Sequence, residues 1–235
     1  MSSTNRGGDR HASDYYITPR NEIERFLSAF LVDYEIDRPD RLTWFDPCAG
    51  GGVQITHSKR SGTMTTVNNP MAYPSVIERE FGAEVVTQDI RRDSAADHIG
   101  SYIDMPETSP PVLRSQTPVI DPDIIITNPP FSHATQIVEQ ALKDVDGQGF
   151  VIMLLRLNFM GAQSREPFFR DNMPESIYVH SRRMSFTPDN KTDSVEYAHF
   201  IWRPHLNPKS AALHHLSPLT QPLVSERILL PGMTS

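Results

Sequence analysis

Two short segments carry residue types that chemistry needs. Asn128-Pro129-Pro130-Phe131 places a side-chain amide, two rigid turns and a flat ring in a row. Proline fixes φ and lacks an N–H, so consecutive prolines lock the chain and leave carbonyl oxygens as acceptors. Together with the Asn128 carbonyl they can accept both hydrogens of an amino group. Held that way, the nitrogen lone pair turns out of the plane toward an electrophile. Phe131 offers a face on which a planar base can stack. No general base is needed at the start, because the amine can lose its proton after attack.

The second segment is Asp46-Pro47-Cys48-Ala49-Gly50-Gly51-Gly52. Glycines let a backbone adopt positive φ and approach a ligand closely. A helix beginning there would offer its free N–H groups to a carboxylate. Asp46 would meet a positively charged amine, or a polar group through water. The spacing fits neither GxGxxG nor the phosphate-cradling loop with its lysine, so no nucleoside-triphosphate site is expected.

These segments need a scaffold that brings them together. Ile23, Phe26, Leu27, Phe30 and Leu31 recur at helical spacing, which predicts a helix over 20–32 with Pro19 in its first turn. A short apolar run over 42–45 reads as a first strand ending at Asp46, and a short helix is expected after the glycines. Residues 64–67 read as a second strand, 73–81 as a helix, and 84–87 as a third strand closing at Asp89. Residues 123–127 are apolar without alternation, as in a strand buried on both faces of a parallel sheet. A helix over 132–144 follows, then strands over 150–155, 176–180 and 196–202. Strands alternating with helices predict an α/β, Rossmann-like doubly wound sheet, mostly parallel, with an antiparallel strand near the C-terminal edge. In such sheets ligands sit beyond the carboxyl ends of the strands, where both segments fall.

The domain is expected over 14–204, between an unstructured lead-in over 1–13 and an extended tail over 205–235. Residues 93–121 read as a long loop or insertion. The formal charge of −7 argues against bulk electrostatic coating of nucleic acid, but phosphate contacts need only a local patch. Residues 156–193 supply one candidate, with Arg156, Arg165, Arg170, Arg182 and Arg183 set among phenylalanines. One cysteine excludes an internal disulfide and a cysteine-cluster zinc site, and no metal site is expected. No export signal or membrane span is visible, which makes a cytoplasmic setting the expectation. His205, His214 and His215 read as surface histidines of the tail.

On these residues the chain resembles the S-adenosylmethionine-dependent amino-methyltransferases, above all small, single-domain, phage-type DNA N6-adenine methyltransferases. Asp46 to Gly52 looks like the family's cofactor motif, and Asn128 to Phe131 like its catalytic motif. Tyr16-Ile17-Thr18-Pro19 resembles the segment that closes over the methionine part of the cofactor. The resemblance implies S-adenosylmethionine as cofactor and duplex DNA with a flipped adenine as partner. It implies cofactor contacts at Tyr16, Thr18, Pro19, Asp46, Pro47, Cys48, Ala49, Gly50 and Gly52. It places Asp89 against the cofactor's adenine. The family's ribose-binding acid ends the second strand, where this chain shows Asn68. Pro-Cys is also a nucleophile motif in cytosine C5 enzymes, but there it follows the fourth strand, so Cys48 reads as a small loop residue. Cytosine N4, RNA, a protein glutamine, and a catalytically weak nucleic-acid-binding pseudoenzyme stay open as alternatives.

Overall fold

The computed structural model describes residues 17–57, 64–103, 120–186 and 194–217. Tyr16, the 1–13 lead-in, and most of the expected 93–121 loop lie outside the described residues.

In chain order the elements are helix α1 (Arg20–Asp33), strand β1 (Trp44–Asp46), strands β2 (Gly50–His57) and β3 (Met64–Met71), and helix α2 (Ala72–Phe81). Then come β4 (Val85–Asp89), β5 (His98–Ile99), β6 (Ile124–Thr127), helix α3 (Ala134–Asp144) and β7 (Phe150–Arg156). Short 3₁₀ turns and helix α4 (Glu166–Asp171) lead to β8 (Ser176–His180), β9 (Tyr197–Trp202) and β10 (Ala212–Leu216). The main sheet is eight-stranded, in the order β10-β8-β9-β7-β6-β1-β4-β5. Pairing is parallel except where β9 runs antiparallel between β7 and β8. The expected sheet type therefore holds.

Burial explains the apolar run that marks β6. Ile124 and Ile126 face one layer and Ile125 the other, and all three are fully buried. On one face Ile23, Phe26, Leu27 and Phe30 of α1 and Val76 and Ile77 of α2 pack against Trp44, Ile124 and Ile152. On the other, Ile137, Val138 and Ala141 of α3 pack with Phe45, Ile125, Val151 and Met153. Phe159, Phe168 and Phe169 extend that second layer. Among the described residues no helix is long and apolar enough to cross a membrane.

Three expectations are corrected. The glycine cluster does not open a helix; it enters β2, which pairs antiparallel with β3 as a separate hairpin. Residues 64–67 consequently do not form the second strand of the main sheet. That strand is β4, the neighbour of β1 opposite β6, and it ends at Asp89. The third correction concerns the tail, where 212–216 form an edge strand parallel to β8. His214 stacks on Tyr178 there, with ring centroids 4.2 Å apart.

The hairpin is tied down at its root. The Gly50 N–H donates to Asp89 Oδ2 at 2.8 Å, and Arg91 Nη2 donates to the Gly51 carbonyl at 2.6 Å. Gly51 and Gly52 hold φ of 71° and 101°, and a Cβ on Gly52 would run into the Asp93 carbonyl. Replacing Gly52 by alanine is therefore expected to destabilise the protein by about 2–4 kcal/mol, through backbone strain and the clash together. Urea titration of the variant beside the parent measures this, and an unchanged midpoint would refute it.

Candidate active site

The chain reverses its direction of travel across the sheet at β1. From there it runs outward to β4 and β5, then returns to the other side of β1 as β6. The ends of β1 and β6 thus border a crevice, the usual ligand position in an open α/β sheet. A cleft of about 870 Å³, counting space open to solvent, lies there. Ile17, Thr18, Asp46, Pro47, Cys48, Ala49, Asp89, Asn128 and Pro130 all border it. Residues expected from two distant motifs are thus brought to one place.

Asp46 is 1% exposed, and its Oδ1 accepts the Cys48 N–H at 3.1 Å. Among the described residues no cation pairs with it. Burial pushes its carboxyl up to about 7; the Thr127 hydroxyl and the Cys48 N–H pull it down, and the nearby Asp89 raises it further. A buried carboxylate without a counter-charge strongly favours a cationic ligand.

Asp89 accepts N–H bonds from Gly50 and Arg91, each at 2.8 Å. A carboxylate has about four lone-pair positions, so two such bonds leave acceptor capacity. Helix α2 begins at the cleft, with Ala72 and Tyr73 on its wall and no side-chain cap on its first turn. The helix N-terminus at the cleft is that of α2, which follows β3 and not the glycines. Pairing of Gly50 with Met71 places the two side by side. Desolvation and the carboxylates of Asp89 and Asp46 push the Cys48 thiol well up, which keeps it neutral and a poor nucleophile.

Asn128 donates Nδ2–H to Thr18 Oγ1 at 3.1 Å. The other edge of the amide, with the carbonyl oxygen, is thereby set opposite Thr18. Pro129 is buried behind the cleft. Phe131 lies beside the cleft rather than on its wall, with the Arg156 guanidinium 4.5 Å from its ring centroid. Gly50, Gly52 and Pro19 support the cleft without lining it. Asn68 is exposed on β3, away from the cleft.

The arginines do not form one cluster. Arg165 donates to the Phe159 carbonyl at 2.7 Å and covers that ring. Arg170 pairs with Glu166 and Asp171 of its own helix, and Arg183 with Glu196, all exposed. Arg182 is exposed and makes no ion pair among the described residues. Tyr73, Tyr102, Ser101, Arg91 and His133 also border the cleft and were not singled out by sequence. Tyr73 opens the helix expected over 73–81, and its place at the first turn was the available signal. Among the described residues no cluster of histidine, cysteine or carboxylate could hold a metal ion.

This sheet order, with its one reversed strand, is that of the Rossmann-like methyltransferase fold. A candidate RNA methyltransferase from Pyrococcus horikoshii superposes with a TM-score of 0.51 at 14% identity, over 86% of this chain and 94% of that one. A candidate class I S-adenosylmethionine-dependent methyltransferase from Listeria monocytogenes gives 0.49 at 14%, over 91% and 69%. The M protein of the type I restriction enzyme EcoKI gives 0.48 at 12%, over 91% of this chain and 52% of that one. No family model matches the chain, and no curated protein does. At these identities the likeness is one of fold.

Raising the carboxyl of Asp46 in the folded state has a definite sign. Its stabilising contribution is complete below the unfolded value near 3.8 and is lost as pH rises through about 7. Asp46→Asn removes this dependence. Relative to the parent, the variant is expected to gain on the order of 2–4 kcal/mol between pH 4 and pH 8.5. Urea denaturation of both proteins across that range is the measurement, and a constant difference would contradict the buried, unpaired carboxyl.

Proposed function

We propose that this chain transfers a methyl group from S-adenosylmethionine to an exocyclic amino group, namely N6 of adenine in DNA. The observation that carries the reading is the meeting of Asp46 and Asn128 on one cleft across the β1–β6 crevice.

The cleft's polar groups fit the cofactor's. Asp46 supplies the negative charge that an ammonium or sulfonium wants, and no cation pairs with it among the described residues. The uncapped first turn of α2 suits a carboxylate. Asp89 ends the strand next to β1, the position at which the resembling family binds ribose hydroxyls. The argument for a weak pseudoenzyme, an amide in that position, therefore falls away. Thr18, Pro47, Cys48 and Ala49 complete the wall. When bound, the cofactor supplies an activated methyl on a sulfonium.

The chain's own contribution is positioning. Asn128 and the carbonyl oxygens of the adjacent prolines accept the amino hydrogens and hold the nitrogen facing the cleft, which accounts for much of the rate of such a transfer. Arg156 against Phe131 marks where a flipped base would rest, in place of the guanidinium. Residues 156–193 would meet the nucleic acid. Exposed ion pairs contribute little to stability, so Arg170 and Arg183 can exchange their carboxylates for phosphates, and Arg182 needs no exchange.

RNA is the second reading, because its amino groups pose the same problem and the Pyrococcus protein carries an RNA methyltransferase name. Nucleoside mass spectrometry on DNA and RNA from a methylation-deficient host expressing the chain separates the two. N6-methyladenine is expected in DNA and should fall roughly 100-fold or more in Asn128→Ala. A new methyl confined to RNA would move the substrate class, and no mark in either would overturn the proposal.

A further inference from the structure

Four buried polar side chains, from α1, α2, β8 and β9, join in a line that ends at the cleft wall. Tyr73 Oη lies 2.9 Å from His199 Nε2. His199 Nδ1 lies 2.8 Å from His180 Nε2, and His180 Nδ1 lies 2.9 Å from Glu22 Oε2. Glu22 Oε1 accepts from Arg25 Nη1 at 2.5 Å. Tyr73, His180 and His199 are at most 2% exposed, and Glu22 is 5% exposed. His199 lies flat on the Phe26 ring, with centroids 3.8 Å apart. Tyr73 is the cleft end of the line: it stands in the first turn of α2 and borders the cleft together with Asp46. Burial, and then the charge of Asp46, push its phenol well up, so it keeps its proton.

The direction of these bonds follows from Glu22. Burial opposes its charge, but its bonds to His180 and Arg25 outweigh this and hold its carboxyl low. An ionised carboxylate only accepts, so His180 carries its proton on Nδ1. Burial lowers both imidazoles below their usual range, which keeps them neutral with one proton each. His180 Nε2 therefore accepts, and His199 donates to it from Nδ1. His199 Nε2 accepts in turn, and its donor is the Tyr73 hydroxyl. A phenol has one hydrogen, and here it is spent on the line.

We propose that Glu22, acting through His180 and His199, is a positioning residue that draws the Tyr73 hydroxyl hydrogen into the protein interior and so withholds a donor from the cleft wall. The inference rests on the reading of the cleft as the seat of S-adenosylmethionine, a ligand with cationic groups. A cation is repelled by a hydroxyl hydrogen turned toward it, and Asp46 would spend lone pairs on such a hydrogen. A plain structural network would tie α1 and α2 to the sheet equally well in either direction.

Glu22→Gln reverses the line. Arg25 only donates, so it takes the glutamine carbonyl and leaves the NH₂ for His180. His180 and His199 must then carry their protons on Nε2, and the Tyr73 hydrogen is released. Long-range ¹H–¹⁵N spectra of the histidine rings, taken without added ligand, read the direction whether or not the protein is active. The parent is expected to show both rings protonated on Nδ1, and Glu22→Gln to show both protonated on Nε2. Nε2 protonation in the parent, or unchanged tautomers in the variant, would overturn the proposal.

Calorimetric titration reads the consequence at the cleft. The probes are decarboxylated S-adenosylmethionine, which keeps the sulfonium and the ammonium, and methylthioadenosine, its neutral part. Glu22→Gln is expected to bind the cation roughly fivefold or more weakly while binding methylthioadenosine as the parent does. Adding Tyr73→Phe to Glu22→Gln removes the released hydrogen and should restore the preference for the cation, which a mere loss of packing would not do. His199→Leu releases the same hydrogen by cutting the line, and serves if Glu22→Gln does not fold. An unchanged preference in whichever variant folds would overturn the proposal. A parent with the expected tautomers that binds neither probe would sink the reading of the cleft, and the role of Glu22 with it, while the direction of the line stood.

Discussion

Strand β1 is three residues long, and the arrangement of the cleft depends on how it is paired. Its register sets Trp44 opposite Val85 on one side and Ile124 on the other. Trp44 and Phe45 face opposite layers, so both helical layers grip it. Because the three central strands are parallel and in register, their carboxyl ends finish together. Asp46, Asp89 and Asn128 reach a common cleft for that reason, although they belong to separate segments of the chain. A parallel sheet supplies such alignment only when both faces are covered, which is why the strands read as unbroken apolar runs.

Around that alignment the distribution of charge is uneven. Asp89 is compensated by backbone N–H groups and Arg91, and Glu22 by His180 and Arg25. Asp46 is buried at the cleft with the Cys48 N–H on one oxygen and no cation beside it among the described residues. An unbalanced buried charge weakens the fold, so its place at the cleft gains a use under the proposed function. There a cationic ligand would relieve the cost. The hairpin root serves the same site from the other side, since its N–H holds Asp89 in place.

Much of this was legible in the residues. The run ending at Thr127 and the prolines after it marked β6 and one wall of the cleft, and the amphipathic spacing over 20–32 and 132–144 marked two of the packed helices. The glycine cluster was placed correctly after β1, yet its continuation was misread. Glycine before a helix and glycine before a strand look alike at short range, whereas Val53-Gln54-Ile55-Thr56 alternates with the period of a strand. That displaced the strand count, so Asn68 rather than Asp89 was read as the end of the strand beside β1. Strand β10 was hidden because most of its residues are exposed and it carries no apolar stripe. The side-chain bonds that join distant segments had no local signature at all. Asn128 and Thr18 are 110 positions apart, and Glu22 and His180 are 158 apart.

The pairing of Gly50 with Met71 has an architectural corollary. The chain leaves the domain and re-enters it at neighbouring points, and both points are fastened to the cleft wall. Such a closed excursion is thermodynamically insulated, since added length raises the closure entropy only slowly. The hairpin is thus a graft point built beside the cleft, where new sequence can be accommodated without re-registering a single strand of the main sheet.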